Sequence, residues 1–229
     1  MRGKCFELLD FPKFAYPSVV RMDPVQTSYN LIERLSGGGF MSYGQIWPRM
    51  SRIVAGSATD KFIETEFSAY ADEWKNNSIQ DVARLLRGYF KGRGRWYPHS
   101  PKPRKVLGFW FKPSIKGVWF VDGQAYAVLV NARKGQPIFP DHARFLARGI
   151  YELHCIDDPN DPLPLILDAS EHEDDEGRKL RPHVVSPEHA ISFEEFDTAI
   201  RLFLQSLQLA GVALPDIGTE SVVDLFRRP

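Results

Sequence analysis

Cysteine is almost missing from this chain: Cys5 and Cys155 are the only two among 229 residues. Two thiols build neither a disulfide framework nor a four-cysteine zinc site. Long apolar runs are missing too, with no window near the roughly 18 residues a membrane helix needs. The opening residues, MRGKCFELLDFPKF, carry charges where a secretory signal has its apolar stretch. Net charge is absent, since 29 Lys and Arg balance 29 Asp and Glu. Gly37-Gly38-Gly39 lacks the Lys-Ser/Thr of a phosphate loop and reads as a helix stop, and no G-x-S-x-G marks a serine hydrolase. The expectation is a cytoplasmic protein with no membrane partner. What is present is ordinary globular material, 43% apolar and 25% charged, with 13% aromatics to fill a core.

The zero net charge conceals a strong local asymmetry. From Val82 to Val121 there are ten cations, Arg84, Arg87, Lys91, Arg93, Arg95, Lys102, Arg104, Lys105, Lys112 and Lys116, and no acid. From Ile150 to Arg178 there are ten acids, among them Glu152, Asp158, Asp161 and Asp168, against Arg178 alone. Fields decay over a Debye length of about 8 Å, so such blocks act locally. Either the two blocks neutralise each other within one fold, or the basic one meets a polyanion.

The pattern divides the chain into a mainly helical region (1–91), a basic loop or linker (92–105) and an α+β region (106–229) with a hairpin meander and C-terminal helices. In the first, helices are expected over Tyr29–Leu35, over Tyr43–Val54 with a break at Pro48, and over Asp60–Asn76. Another is expected over Ile79–Phe90, opened by a Ser78/Asp81 capping box. This last helix would bury Ile79, Val82, Leu86 and Tyr89 and present Arg84, Arg87 and Lys91 as a basic stripe. Strands are expected at Val106–Phe111, Val118–Val121 and Ala125–Val130. Asp122-Gly123 between the last two is suited to a type I′ turn, whose central residues both need positive φ. A helix from Pro140 to His154, a strand over Leu163–Leu167, a solvated loop over Glu171–Arg181 and a helix capped by Ser192 and Glu195 and closed by Gly211 complete the pattern. A last short helix is expected over Glu220–Phe226.

The fold class is therefore α+β, a helical region packed on a small mixed sheet in the order β-β-β-α-β-α. Three antiparallel strands, a helix and a fourth strand form the opening order of ribonuclease H-like folds, a comparison of topology alone. Such nucleases hold two metals between carboxylates on the first strand, the first helix and the end of the fourth strand. Glu152 and Asp168 occupy the last two places, but Val106–Phe111 has no acid. A restriction-type site wants one acid and then an acid-x-lysine. Here the hairpin offers Asp122, which suits the turn, and Asn131-Ala132-Arg133-Lys134, where Asn131 replaces the carboxylate poorly. Adjacent His154 and Cys155 diverge by about 100° on a helix and make no nucleophile–base pair. His172 in an acidic loop lacks the spacing of an EF-hand.

The basic, aromatic segment carries the preferred reading. Arg84, Arg87, Lys91, Arg93, Arg95, Lys102, Arg104 and Lys105 suit phosphates, Trp96 and Tyr97 suit stacking on bases, and Gly92 and Gly94 suit close backbone approach. The expectation is a non-catalytic protein that binds DNA or RNA, as a subunit of a larger nucleoprotein complex, with no cofactor. The alternatives are a metal-dependent nuclease, intact or degenerate, using Glu152 and Asp168 with Mg or Mn, and a protein–protein adaptor with separate acidic and basic faces.

Overall fold

The computed structural model describes residues 6–15, 18–19, 21–36, 42–99, 104–106, 109–112, 114–133, 135–156, 158–171 and 176–212. In chain order they form β1 (Phe6–Glu7), α1 (Asp10–Phe14), α2 (Pro24–Ser36), α3 (Met50–Val54), α4 (Asp60–Glu66), α5 (Glu73–Phe90), β2 (Arg95–Pro98), β3 (Arg104–Val106) and β4 (Phe109–Lys112). Then come β5 (Ile115–Val121), β6 (Gln124–Asn131), α6 (Pro140–Ile150), β7 (Leu163–Asp168), β8 (Arg181–Val184) and α7 (Phe193–Leu209). The fold is α+β. The expected Gly37-Gly38-Gly39 stop, the Glu220–Phe226 helix, Cys5, Lys102, Lys134 and His172 lie outside the described residues.

A five-stranded mixed sheet in the order β2-β5-β6-β7-β8 forms the centre. β2, β5 and β6 are antiparallel, β6 and β7 run parallel with α6 as the crossover, and β8 returns antiparallel. Strands covered on both faces read as continuous apolar runs, and Ala125–Val130 and Leu163–Leu167 do. Side chains alternate between two cores. Ala127, Leu129 and Ile166 join a core with α1, α6 and α7, whereas Val128, Val130, Leu165 and Leu167 join one with α3, α4 and α5. α3, α4 and α5 thus form one outer layer of the sheet, whereas α1 and α2 pack on the other face with α6 and α7. A separate small sheet has the order β1-β4-β3.

The hairpin forms as expected, with Asp122 at φ 50° and Gly123 at φ 80° between β5 and β6. The Ser192–Glu195 capping box is complete, with both reciprocal hydrogen bonds present. Other boundaries move. Thr59 caps α4, which ends at Glu66, and α5 starts at Glu73, so Ser78 lies inside a helix. Its hydroxyl meets the Tyr43 hydroxyl at 2.9 Å instead of capping. Val106–Phe111 is divided between β3 and β4, both outside the main sheet. Val106–Phe111 therefore does not supply the first strand of the main sheet, in which β2, β5 and β6 precede α6 and β7 borders β6. Within the basic segment 92–105, Arg95–Pro98 is the strand β2, hydrogen-bonded along β5. α6 passes at Tyr151 into one turn of wider π-helix ending at Cys155.

Close packing explains Gly117. A Cβ there would lie 2.2 Å from the Trp96 ring, which covers the strand at this point. Gly117→Ala is therefore expected to lower stability by about 1–3 kcal/mol through overpacking. Gly123→Val meets open space but puts a β-branched residue at positive φ, for about 1–2 kcal/mol. Chemical denaturation reads both, and an unchanged midpoint for either variant refutes the corresponding contact or turn.

Candidate nucleic-acid interface

The basic residues fall into two groups with different surroundings. Arg84 and Arg87 lie on α5, spaced so that both reach across to α4. Arg84 pairs with Glu64 at 3.2 Å, Asp81 at 3.4 Å and Asp60 at 3.6 Å. Arg87 pairs with Asp60 at 2.8 Å and donates to the Ala58 carbonyl at 2.8 Å. These contacts join α4 to α5 and compensate the stripe that the sequence offered to phosphates. Two of the eight cations of the expected basic surface thus serve packing.

The second group begins where α5 ends. Lys91 closes the helix in the left-handed region at φ 50°, and Lys91, Arg93 and Arg95 are all exposed. Among the described residues no carboxylate lies within ion-pair distance of any of the three. The turn that carries them is held from beneath, since the Trp119 indole donates to the Arg93 carbonyl at 2.9 Å. Gly94, at φ 74°, sits so close to the sheet that a Cβ would be 2.3 Å from the Phe120 carbonyl. The glycine therefore answers to the sheet rather than to a ligand's backbone.

β2 then sorts the two aromatic residues. Trp96 is 7% exposed and packs with Phe90 in the α5-side core, so its ring is not a stacking platform. Tyr97 points the other way and is 52% exposed. Arg104 and Lys105 lie on β3, in the small sheet, and only their backbone is described.

The two carboxylates of the nuclease alternative do not converge. Asp168 is fully buried at the end of β7, where it accepts from the Asn131 amide at 2.9 Å and from the N–H groups of Ile138 at 2.9 Å and Ser170 at 3.0 Å. Glu152 is buried in the π turn, bonded to Arg148 at 3.3 Å. Ile138 precedes α6 while Glu152 lies twelve residues beyond Pro140, about 18 Å along the helix axis at ~1.5 Å per residue. Among the described residues no group of three or more His, Cys, Asp or Glu is placed to hold a metal. The restriction-type positions are likewise occupied: Asp122 is in the turn, Asn131 holds Asp168, and Arg133 pairs with Asp10 at 2.8 Å and Glu7 at 3.5 Å.

A mixed-charge cluster that the sequence did not signal lies where Arg133 meets the N-terminal segment. Ser114 accepts from the Leu9 N–H at 3.3 Å, and Arg133 donates to the Leu9 carbonyl at 3.1 Å. Burial lowers the Lys116 pKa, against a smaller opposing effect from Glu7, and its ammonium stands 5.3 Å from the centre of the Trp47 ring. Glu7 and Asp10 are over a hundred residues distant in sequence, so no local spacing reveals the cluster.

No family model matches this chain, and no curated protein matches it either. No helix among the described residues is long and apolar enough to cross a membrane.

Asp168→Ala is expected to leave the buried N–H groups of Ile138 and Ser170 and one N–H of the Asn131 amide unpaired and to lower stability by on the order of 3 kcal/mol. An unchanged denaturation midpoint refutes this structural role. Cys155 is buried, and its pKa is raised by burial first and then by Asp158, Asp161 and Glu152. In a Cys5→Ser background the native protein should therefore react with a thiol reagent far more slowly than the unfolded chain. Equal rates would show that Cys155 is accessible.

Proposed function

We propose that this chain binds nucleic acid without cutting it, gripping phosphates with Lys91, Arg93 and Arg95. The observation that carries the reading is the contrast between these exposed cations, with no carboxylate in ion-pair reach among the described residues, and Arg84 and Arg87, which are compensated by α4. Three cations within five residues raise the local potential over a distance comparable with the Debye length, where phosphates respond to it. The arrangement favours binding over cleavage because Asp168 and Glu152 are engaged internally and stand at opposite ends of α6.

Phosphate neutralisation releases counterions, so log affinity falls linearly with log salt, with a slope of about 0.7–0.9 per contact. Replacing Lys91, Arg93 and Arg95 together by Ala should weaken binding across sequences and make the slope shallower by about two units. Arg84→Ala with Arg87→Ala should leave the slope in place and lower the melting temperature, because it loosens α4. Fluorescence anisotropy with labelled oligonucleotides at several salt concentrations measures the first effect, and a thermal melt the second. With Mg²⁺ or Mn²⁺ added, the oligonucleotides should stay intact. Identical salt slopes for the triple variant and the wild type, or no salt-sensitive binding by the wild type, would overturn the proposal.

A further inference from the structure

The three cations lead into the β2 edge of the sheet, where two aromatic rings stay exposed among the described residues. Trp96 opposes Trp119 across β2 and β5, and both belong to the core beneath α5. Alternation along a strand then puts the neighbouring pairs, Arg95 with Phe120 and Tyr97 with Val118, on the opposite face. On that side α1, α6 and α7 pack over Ala127, Leu129 and Ile166, in strands β6 and β7. At the β2 edge Tyr97 remains 52% exposed and Phe120 38% exposed. The two rings are diagonal neighbours in the register, with Cβ atoms roughly 7–8 Å apart. Arg95 stands directly opposite Phe120.

We infer that Tyr97 and Phe120 form a base-stacking platform, and that the nucleic acid taken here is single-stranded. The inference rests on the phosphate-binding reading above and specifies its ligand. Every base has a π face, so two rings on a rigid sheet accept successive bases with little regard to sequence. A duplex keeps its bases stacked on each other and would have to be opened to use the rings, whereas an unpaired strand offers its bases directly. The charge fits the same occupant, because Arg95 stands opposite Phe120 on this face and the exposed Arg93 and Lys91 follow in the turn that leads from the β2 edge to α5. The rings sit on strands held by the Trp96–Trp119 pair and by the Trp119 bond to Arg93, so the platform exists before the ligand arrives.

The test compares a labelled single-stranded oligothymidylate, a single-stranded oligouridylate and a duplex by anisotropy over a range of salt concentrations. Tyr97→Leu keeps apolar bulk and removes the aromatic face; Phe120→Leu does the same at the second position. Each should weaken single-strand binding by about 5- to 100-fold while leaving the salt slope and the duplex affinity unchanged. Tyr97→Phe should retain wild-type affinity, which separates a ring from a hydroxyl contact. Circular dichroism and a thermal melt of each variant confirm that the sheet is intact, and Tyr97→Ala at an exposed site provides a second folded variant if Phe120→Leu unfolds. If both Leu variants bind single strands as the wild type does while the Lys91/Arg93/Arg95 triple variant loses affinity, the platform is refuted and phosphate binding stands. If the wild type binds duplex as tightly as single strands, single-strand selection is refuted. If the wild type binds none of the three probes, both readings fall and the face belongs to a protein partner.

Discussion

The buried carboxylate of Asp168 is the joint on which the rest of the sheet depends. Parallel strands cannot be joined by a tight turn, so the chain must leave the end of β6, descend through a helix and return along β7. Asp168 fixes both places where that path can fail. Through Asn131 it ties the end of β7 to the end of β6, and through the Ile138 N–H it sets the start of α6. Asn131 in turn donates to the Gln136 carbonyl at 2.7 Å, closing the connection between them. A carboxylate with these donors is costly to bury alone and stable to bury in company. The same three donors engage both of its oxygens.

Arginine does similar work at three other junctions, and this explains much of the charge asymmetry. Arg178, the single cation of the acidic stretch, donates to the Ala132 and Ala169 carbonyls at 3.0 and 2.7 Å and to the Tyr43 and Ser78 hydroxyls at 2.7 and 3.0 Å. It thereby joins the ends of β6 and β7 to the helical layer. Arg133 fastens the N-terminal segment, and Arg148 links Glu152 to the carbonyls of Pro187 and Ile191. A planar guanidinium with several donors suits such multi-partner positions better than a lysine does. With Arg84 and Arg87 counted among them, Lys91, Arg93 and Arg95 on the turn and edge strand stand out as exposed cations with no carboxylate in ion-pair reach among the described residues.

Local chemistry was legible in the sequence and distant pairing was not. Asp122-Gly123, Ser192/Glu195 and the apolar runs of β6 and β7 act over a few residues, and each formed at its expected place. The α4–α5 break was missed because Ile63, Phe67, Tyr70 and Trp74 keep helical spacing across it. There, Asn76 bonds the backbone of Tyr70 in both directions, at 3.0 and 2.9 Å, which stabilises a turn in place of a continuous helix. β8 has no signal in the sequence beyond the end of the Glu171–Arg181 loop, because Arg181–Val184 has its strand character only against β7. Trp96 reads as a surface ring for the same reason. In the sequence it stands among cations and prolines, and only pairing with β5 shows that it faces Trp119.

The same register accounts for why one aromatic residue is structural and its neighbour is available. Adjacent residues on a strand cannot share a face, so burying Trp96 against Phe90 and Trp119 necessarily turns Tyr97 outward. The α6 side of the sheet is covered along β6 and β7 and at Ile115 of β5, whereas Phe120 on β5 and Tyr97 on β2 stay exposed. An exposed edge of this kind invites pairing with other chains, and charged side chains are a usual protection. Arg95 supplies that charge at the open edge while Lys91 and Arg93 flank it. Cations placed there discourage another strand from adding to the sheet.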